Sequence, residues 1–100
     1  MFAVIYKFKV KEGFEEKFQS SWEKMTYEFR DTHGALGSCL HKTLDNIFIA
    51  YARWPNKKAW QEEKTIINKP ALAHMRECVE ESFPAIPLDV VSDLLVKDIN

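Results

Sequence analysis

FAVIYKFKV, residues 2–10, and the stretch that follows it, KEGFEEKFQSSWEKMTYEF (11–29), change hydrophobic period part-way along. Up to Val10 the even positions Phe2, Val4, Tyr6, Phe8 and Val10 are all apolar or aromatic, while Lys7 and Lys9 fall on the odd side with Ala3 and Ile5. A period of two is that of a strand. Lys11, Glu12 and Gly13 break the run. From Phe14 the spacing lengthens: Phe14, Phe18, Trp22, Met25 and Phe29 recur at intervals of four or three, one aromatic stripe down a helix. Glu15 and Glu16 suit its positive first turn, and Gly34 after His33 is free to take the left-handed geometry that ends it.

Two strand-like runs follow, about Leu36–Thr43 and Ile47–Trp54, joined by Leu44, Asp45 and Asn46. Asp and Asn tolerate positive φ, so the join reads as a tight hairpin. Asn56 after Trp54-Pro55 is a good N-cap for a short helix over Lys57–Lys64. Pro70 interrupts that helix, and a second is expected from about Pro70 to Phe83 with a stripe of Leu72, Met75, Val79 and Phe83. A last strand is expected over about Leu88–Val96. The order is βαββαβ, a ferredoxin-like α+β fold with a four-stranded antiparallel sheet and helices on one face. Residues 1–100 read as one domain.

With helices on one face, the other should be polar in a monomer. It is only half polar here. Ile47, Ile49 and Tyr51 alternate with Phe48, Ala50, Ala52 and Trp54, and Leu88, Val90 and Leu94 alternate with Val91 and Leu95. A homodimer with the sheets face to face is the economical way to cover such a patch.

Composition narrows the chemistry. Lys plus Arg is 14 against 15 for Asp plus Glu, a net charge of -1, so nothing draws the chain to nucleic acid or anionic lipid. NIFIAYARW lacks the basic-glycine start of an RNA-recognition strand, and three glycines make no phosphate loop. No apolar run reaches the length of a membrane span. The opening MFAVIYKFKV alternates where a secretory signal needs an unbroken apolar run, and Cys39 and Cys78 form no CxxC pair. A cytoplasmic protein with two free thiols is expected. His33, His41 and His74 stand in separate elements without the close spacing of metal ligands, so no metal is expected.

Candidate site residues remain. His74 sits beside the stripe of the expected last helix, next to Ala71 and Cys78. It is either a structural residue at the stripe edge or a general base facing a cavity between helix and sheet. Tyr6, Phe18, Trp22 and Trp60 are core or the wall of an apolar pocket. Tyr6, on the helix-facing side of its strand and with a polar tip, is placed to orient a polar group of a substrate.

The opening FAVIYKFKVKEGFEEKF, the run YARWPNKKAWQEEK and the segment NKPALAHMRE together resemble the antibiotic biosynthesis monooxygenase family of dimeric α+β barrels. Trp54, Ala59 and His74 match its strand-ending Trp, following Ala and helical His. The resemblance implies a homodimer with an apolar pocket between sheet and helices, taking a small aromatic or quinone-like ligand. It implies a cofactor-independent monooxygenase acting with dioxygen, with His74 and Tyr6 catalytic and Trp60, Trp22, Phe18 and Glu63 around the substrate. Alternatives are a haem-binding or haem-degrading protein with His74 as axial ligand, and a non-enzymatic ligand-binding dimer. The haem-degrading branch resembles a triad of Asn, Trp and His. Here Tyr6 stands at the Asn position, Glu63 near the Trp position one turn from Trp60, and His74 is shifted by one residue.

Overall fold

A computed structural model describes residues 1–95. The elements in chain order are β1 (Phe2–Val10), α1 (Glu15–Thr32), β2 (Gly37–Lys42), β3 (Ile47–Trp54), α2 (Lys57–Gln61), α3 (Lys69–Cys78), β4 (Val79–Ser82) and β5 (Ile86–Asp89). All pairings are antiparallel, in the order β2-β3-β1-β4, with β5 also on β1. This is the α+β, ferredoxin-like architecture expected. The local signals explain most boundaries. Asn46 takes φ 60° in the hairpin, and its side-chain amide donates to Val10 O and Glu15 Oε2, both at 2.9 Å. The turn is thereby pinned to the start of α1. Asn56 caps α2 by accepting from Ala59 N at 2.8 Å, and Asn68 caps α3 by accepting from Ala71 N at 3.1 Å.

The C-terminal third differs from expectation. α3 ends at Cys78 rather than Phe83, and Val79 turns directly into β4. The free edge of β1 decides this. Its backbone groups need partners, and Val10 takes Val79 while Lys9 takes Glu81. That pairing overrides the helical spacing of Val79 and Phe83. β4 lies along the second half of β1 and β5 along the first, with Phe83–Ala85 between them. The two short strands fill the place of the single last strand expected at 88–96, whose final residue Val96 lies outside the described residues.

Register puts Phe8 opposite Phe48, Tyr6 opposite Ala50, Val4 opposite Ala52 and Phe2 opposite Trp54. The even positions of β1 and β3 therefore share one face, under the helices. The core there is split. One cluster gathers Phe2, Val4, Ala35 and Trp54, the other Val10, Phe18, Phe48 and Cys78. Tyr6 stands on β1 between them.

Candidate functional site

The gap between the two clusters is a cavity of about 190 Å³. Its small residues come from three places: Ala35 after α1, Gly37 and Ser38 of β2, and Ala52 of β3. Its walls are the rings of Tyr6, Phe8 and Trp54 from the sheet, Trp22 and Phe29 from α1, and the thioethers of Met25 and Met75. Small side chains on one side and large ones on the other keep the space open. The polar groups are few. Ser38 Oγ is committed to Tyr51 O at 3.0 Å, and Thr26 adds one hydroxyl.

Tyr6 is held from behind. Trp60 Nε1 donates to its hydroxyl oxygen at 2.9 Å, and the Trp60 ring packs on Phe2 at 5.6 Å between centroids. With that lone pair taken, the hydroxyl keeps its own proton to offer. Burial pushes its pKa above the ordinary value, against the opposing hydrogen bond from Trp60 and a smaller one from the Trp54 side chain. Tyr6 is therefore a neutral hydroxyl at pH 7, a donor and not a base. Trp54 is only 4% exposed, and its buried Nε1–H is directed at the Tyr6 hydroxyl oxygen, short of full hydrogen-bond geometry. Lys64 steadies this corner. Its ammonium lies 4.7 Å from the centre of the Trp54 ring and donates to the carbonyls of Ala59, Trp60 and Glu62 at the end of α2.

Of the residues expected at a site, Tyr6 and Trp22 line the cavity and Trp60 stands behind Tyr6. The others lie elsewhere. Phe18, fully buried, belongs to the second core cluster. Glu63 is exposed beyond the end of α2. His74 is exposed on α3. A helix turns about 100° per residue, so the face that carries Met75 into the cavity turns its neighbour His74 away. The expectation of a His74 base facing the cavity is corrected accordingly. Sequence reasoning missed Phe8, Met25, Phe29, Trp54 and Met75 as wall residues, although Met25 and Phe29 sit on the same stripe as Trp22. Cys39 is exposed and Cys78 buried, and both thiols are free. Among the described residues no three His, Cys, Asp or Glu side chains gather as a metal centre requires, and no helix is long and apolar enough to cross a membrane.

Residues 1–63 match the antibiotic biosynthesis monooxygenase family. No curated protein matches the sequence. The fold is similar to that of SnoaB, a cofactor-independent oxygenase from Streptomyces nogalater (TM-score 0.75, 18% identity, covering 93% of this chain and 95% of that one). It is similar too to Rv0793 from Mycobacterium tuberculosis (0.72, 14%, covering 94% and 98%). A conserved protein from Methanosarcina mazei Go1 is a third neighbour (0.70, 16%, covering 87% and 89%). At these identities the likeness is one of fold.

Proposed function

The chain belongs to the antibiotic biosynthesis monooxygenase family, and from that premise we propose that it is a homodimeric, cofactor-independent oxygenase of a small aromatic or quinol-type molecule bound in the Tyr6 cavity. The observation that carries this is the cavity itself: apolar, walled by aromatic rings, with Tyr6 and Thr26 among its few hydroxyl-bearing lining residues. Its volume of about 190 Å³ is somewhat larger than the ~150 Å³ of an engineered cavity that takes benzene. It suits one or two fused rings. A haem macrocycle exceeds it, so the haem alternative has no support in this geometry.

The reaction needs no external reductant. Take a hydroxylated ring with a free ring C–H. One oxygen atom of dioxygen ends on the ring as a carbonyl, and the other leaves as water with the ring hydrogen and the hydroxyl hydrogen. All four electrons come from the substrate, which becomes a quinone. The electron-rich form is the ionised one. Among the described residues no carboxylate, His or Lys lines the cavity, and Tyr6 is neutral, so the substrate is taken to ionise on its own. The rate is then expected to rise with pH along the ionisation of the substrate hydroxyl. Oxygen uptake with naphthol or dihydroxynaphthalene should exceed the spontaneous rate, with His74→Ala staying within about twofold of wild type, since removal of a true general base typically costs ~100-fold or more. A His74→Ala collapse would restore the base reading. Binding without oxygen uptake would favour the second reading, a ligand-binding dimer, which the same lack of a base also suits. Failure of both ring compounds to bind would sink the cavity reading.

The homodimer rests on the face away from the helices. Ile5, Ile49 and Tyr51 line a groove there, tied to the C-terminal segment by the Arg53–Asp93 ion pair at 2.6 Å. Val91, Leu94 and Leu95 on that segment are 94%, 93% and 66% exposed. A second copy of the chain would cover these apolar groups. Light scattering should give about twice the chain mass of 11.7 kDa, and Ile49→Asp should halve it or unfold the chain, because an unpaired charge would be buried at the contact. A wild-type mass of one chain would refute the dimer.

A further inference from the structure

The edge strand β2 carries a pair of side chains that the cavity does not use. Cys39 and His41 stand two residues apart, opposite Tyr51 and Ile49, so both project from the face away from the helices. Both are exposed. His41 Nδ1 lies 3.1 Å from the backbone oxygen of Ile49. A carbonyl can only accept, so Nδ1 carries the hydrogen, and the neutral ring keeps its lone pair on Nε2. Nε2 is 3.8 Å from Cys39 Sγ, within reach of a bond to sulfur. The thiol thus has a base beside it, and the base has an orienting group behind it. A nucleophilic cysteine is activated by that arrangement.

The pair borders two hollows. One is the sheet groove assigned to the proposed homodimer, where Tyr51 and Arg53 of β3 stand, Arg53 in its ion pair with Asp93. The other lies at the outer edge of β2 against α1, where Glu15, Glu16 and Glu23 outnumber Lys42. The edge hollow gives Cys39 a route to solvent that does not cross the groove, and its charge favours a cationic visitor. Cys78 is the contrast: it is 0% exposed, and burial pushes its thiol up.

We propose that Cys39 is a reactive thiol, with His41 as its base, that forms mixed disulfides with small cationic disulfides arriving at the β2 edge. Cys39 gives its proton to His41 Nε2 and its sulfur attacks one sulfur of the disulfide. The new S–S bond forms as the old one breaks, and the departing thiolate takes the proton back from His41. Cys39 is oxidised and the small disulfide is reduced.

The test uses the intact protein and cystamine, a diamine disulfide. At pH 7 mass spectrometry should find one half-cystamine per chain, on Cys39 and not on Cys78, and none on Cys39→Ser. His41→Gln, shown to be folded by circular dichroism, should react about tenfold more slowly at pH 7, where an unassisted thiol is only a few per cent ionised. At pH 10 the two proteins should react alike, because a thiol then ionises without a base. With rates divided by those of free N-acetylcysteinamide, cystamine should be favoured over the anionic oxidised glutathione, and added salt should narrow the gap. Equal rates of wild type and His41→Gln at pH 7, or labelling of neither thiol, overturn the reactive pair. Equal normalised rates with the two disulfides overturn the cationic selectivity. None of these readouts involves the cavity, so their failure leaves the function proposed for it standing.

Discussion

Phe18→Ala is expected to lower the free energy of unfolding by about 3–5 kcal/mol. The ring is fully buried, 5.1 Å from the Phe48 ring and 5.6 Å from that of Phe8 between centroids. Val10 and Cys78, 2% and 0% exposed, close the cluster around it. These neighbours come from β1, β3 and the end of α3, each held by its own backbone pairing, so they cannot collapse into the space left behind. The cost is then the lost transfer energy plus that of a cavity. For a domain of this size each kcal/mol shifts Tm by about 4–8 °C, so the variant should melt on the order of 20 °C lower. Denaturant titrations at one fixed protein concentration check this, since the stability of the proposed dimer would depend on concentration. A loss below about 1 kcal/mol would mean that the second cluster is not the closed core described.

Phe18 and Trp22 show where the sequence speaks and where it stops. Both lie on one helical stripe, and that stripe correctly gives α1. The stripe does not say that Phe18 enters a closed cluster while Trp22, one turn on, borders an empty space. That difference arises across the sheet, where Phe48 meets Phe18 but Ala52, Ser38 and Gly37 leave room beneath Trp22. Small residues from two strands and a loop form the cavity only once register has brought them together. Tyr6 was legible because strand alternation fixes its face and its polar tip demands a partner. His74 misled because a residue at the edge of an apolar stripe can fall on either side of it. The α3–β4 junction misled for a related reason: Val79 satisfies a helical spacing and a strand position equally, and the choice is made by Val10, far away in the chain.

Glu28→Ala should cost about 3 kcal/mol at neutral pH, because it strips a buried carboxylate from several donors at once. Its Oε1 accepts from Asn68 N at 2.7 Å, and its Oε2 accepts from Ile67 N at 2.9 Å and from His33 Nε2 at 2.8 Å. The two side chains are only 7% and 9% exposed. One acidic residue of α1 thus clamps the start of α3, which carries Met75 into the cavity wall, and ties down the end of its own helix. The Ile67 amide foremost, then the Asn68 amide and the His33 ring, hold the Glu28 carboxyl below the ordinary range against the opposing effect of burial. The sign follows from linkage: the folded chain binds fewer protons here than the unfolded one, so stability rises with pH across this window. The contribution is complete above the ordinary glutamate value of ~4.3 and is lost as pH falls through the lower folded value. Wild type should therefore lose stability steeply in that acid range, while Glu28→Gln, which cannot titrate, starts lower and declines less. Some acid slope will remain, because Glu15 is also held low by its own backbone amide and by Asn46. Urea unfolding of both proteins between pH 3 and 7 measures the difference. Parallel acid limbs would show that the clamp contributes nothing through its charge, and that α3 is held against α1 by packing alone.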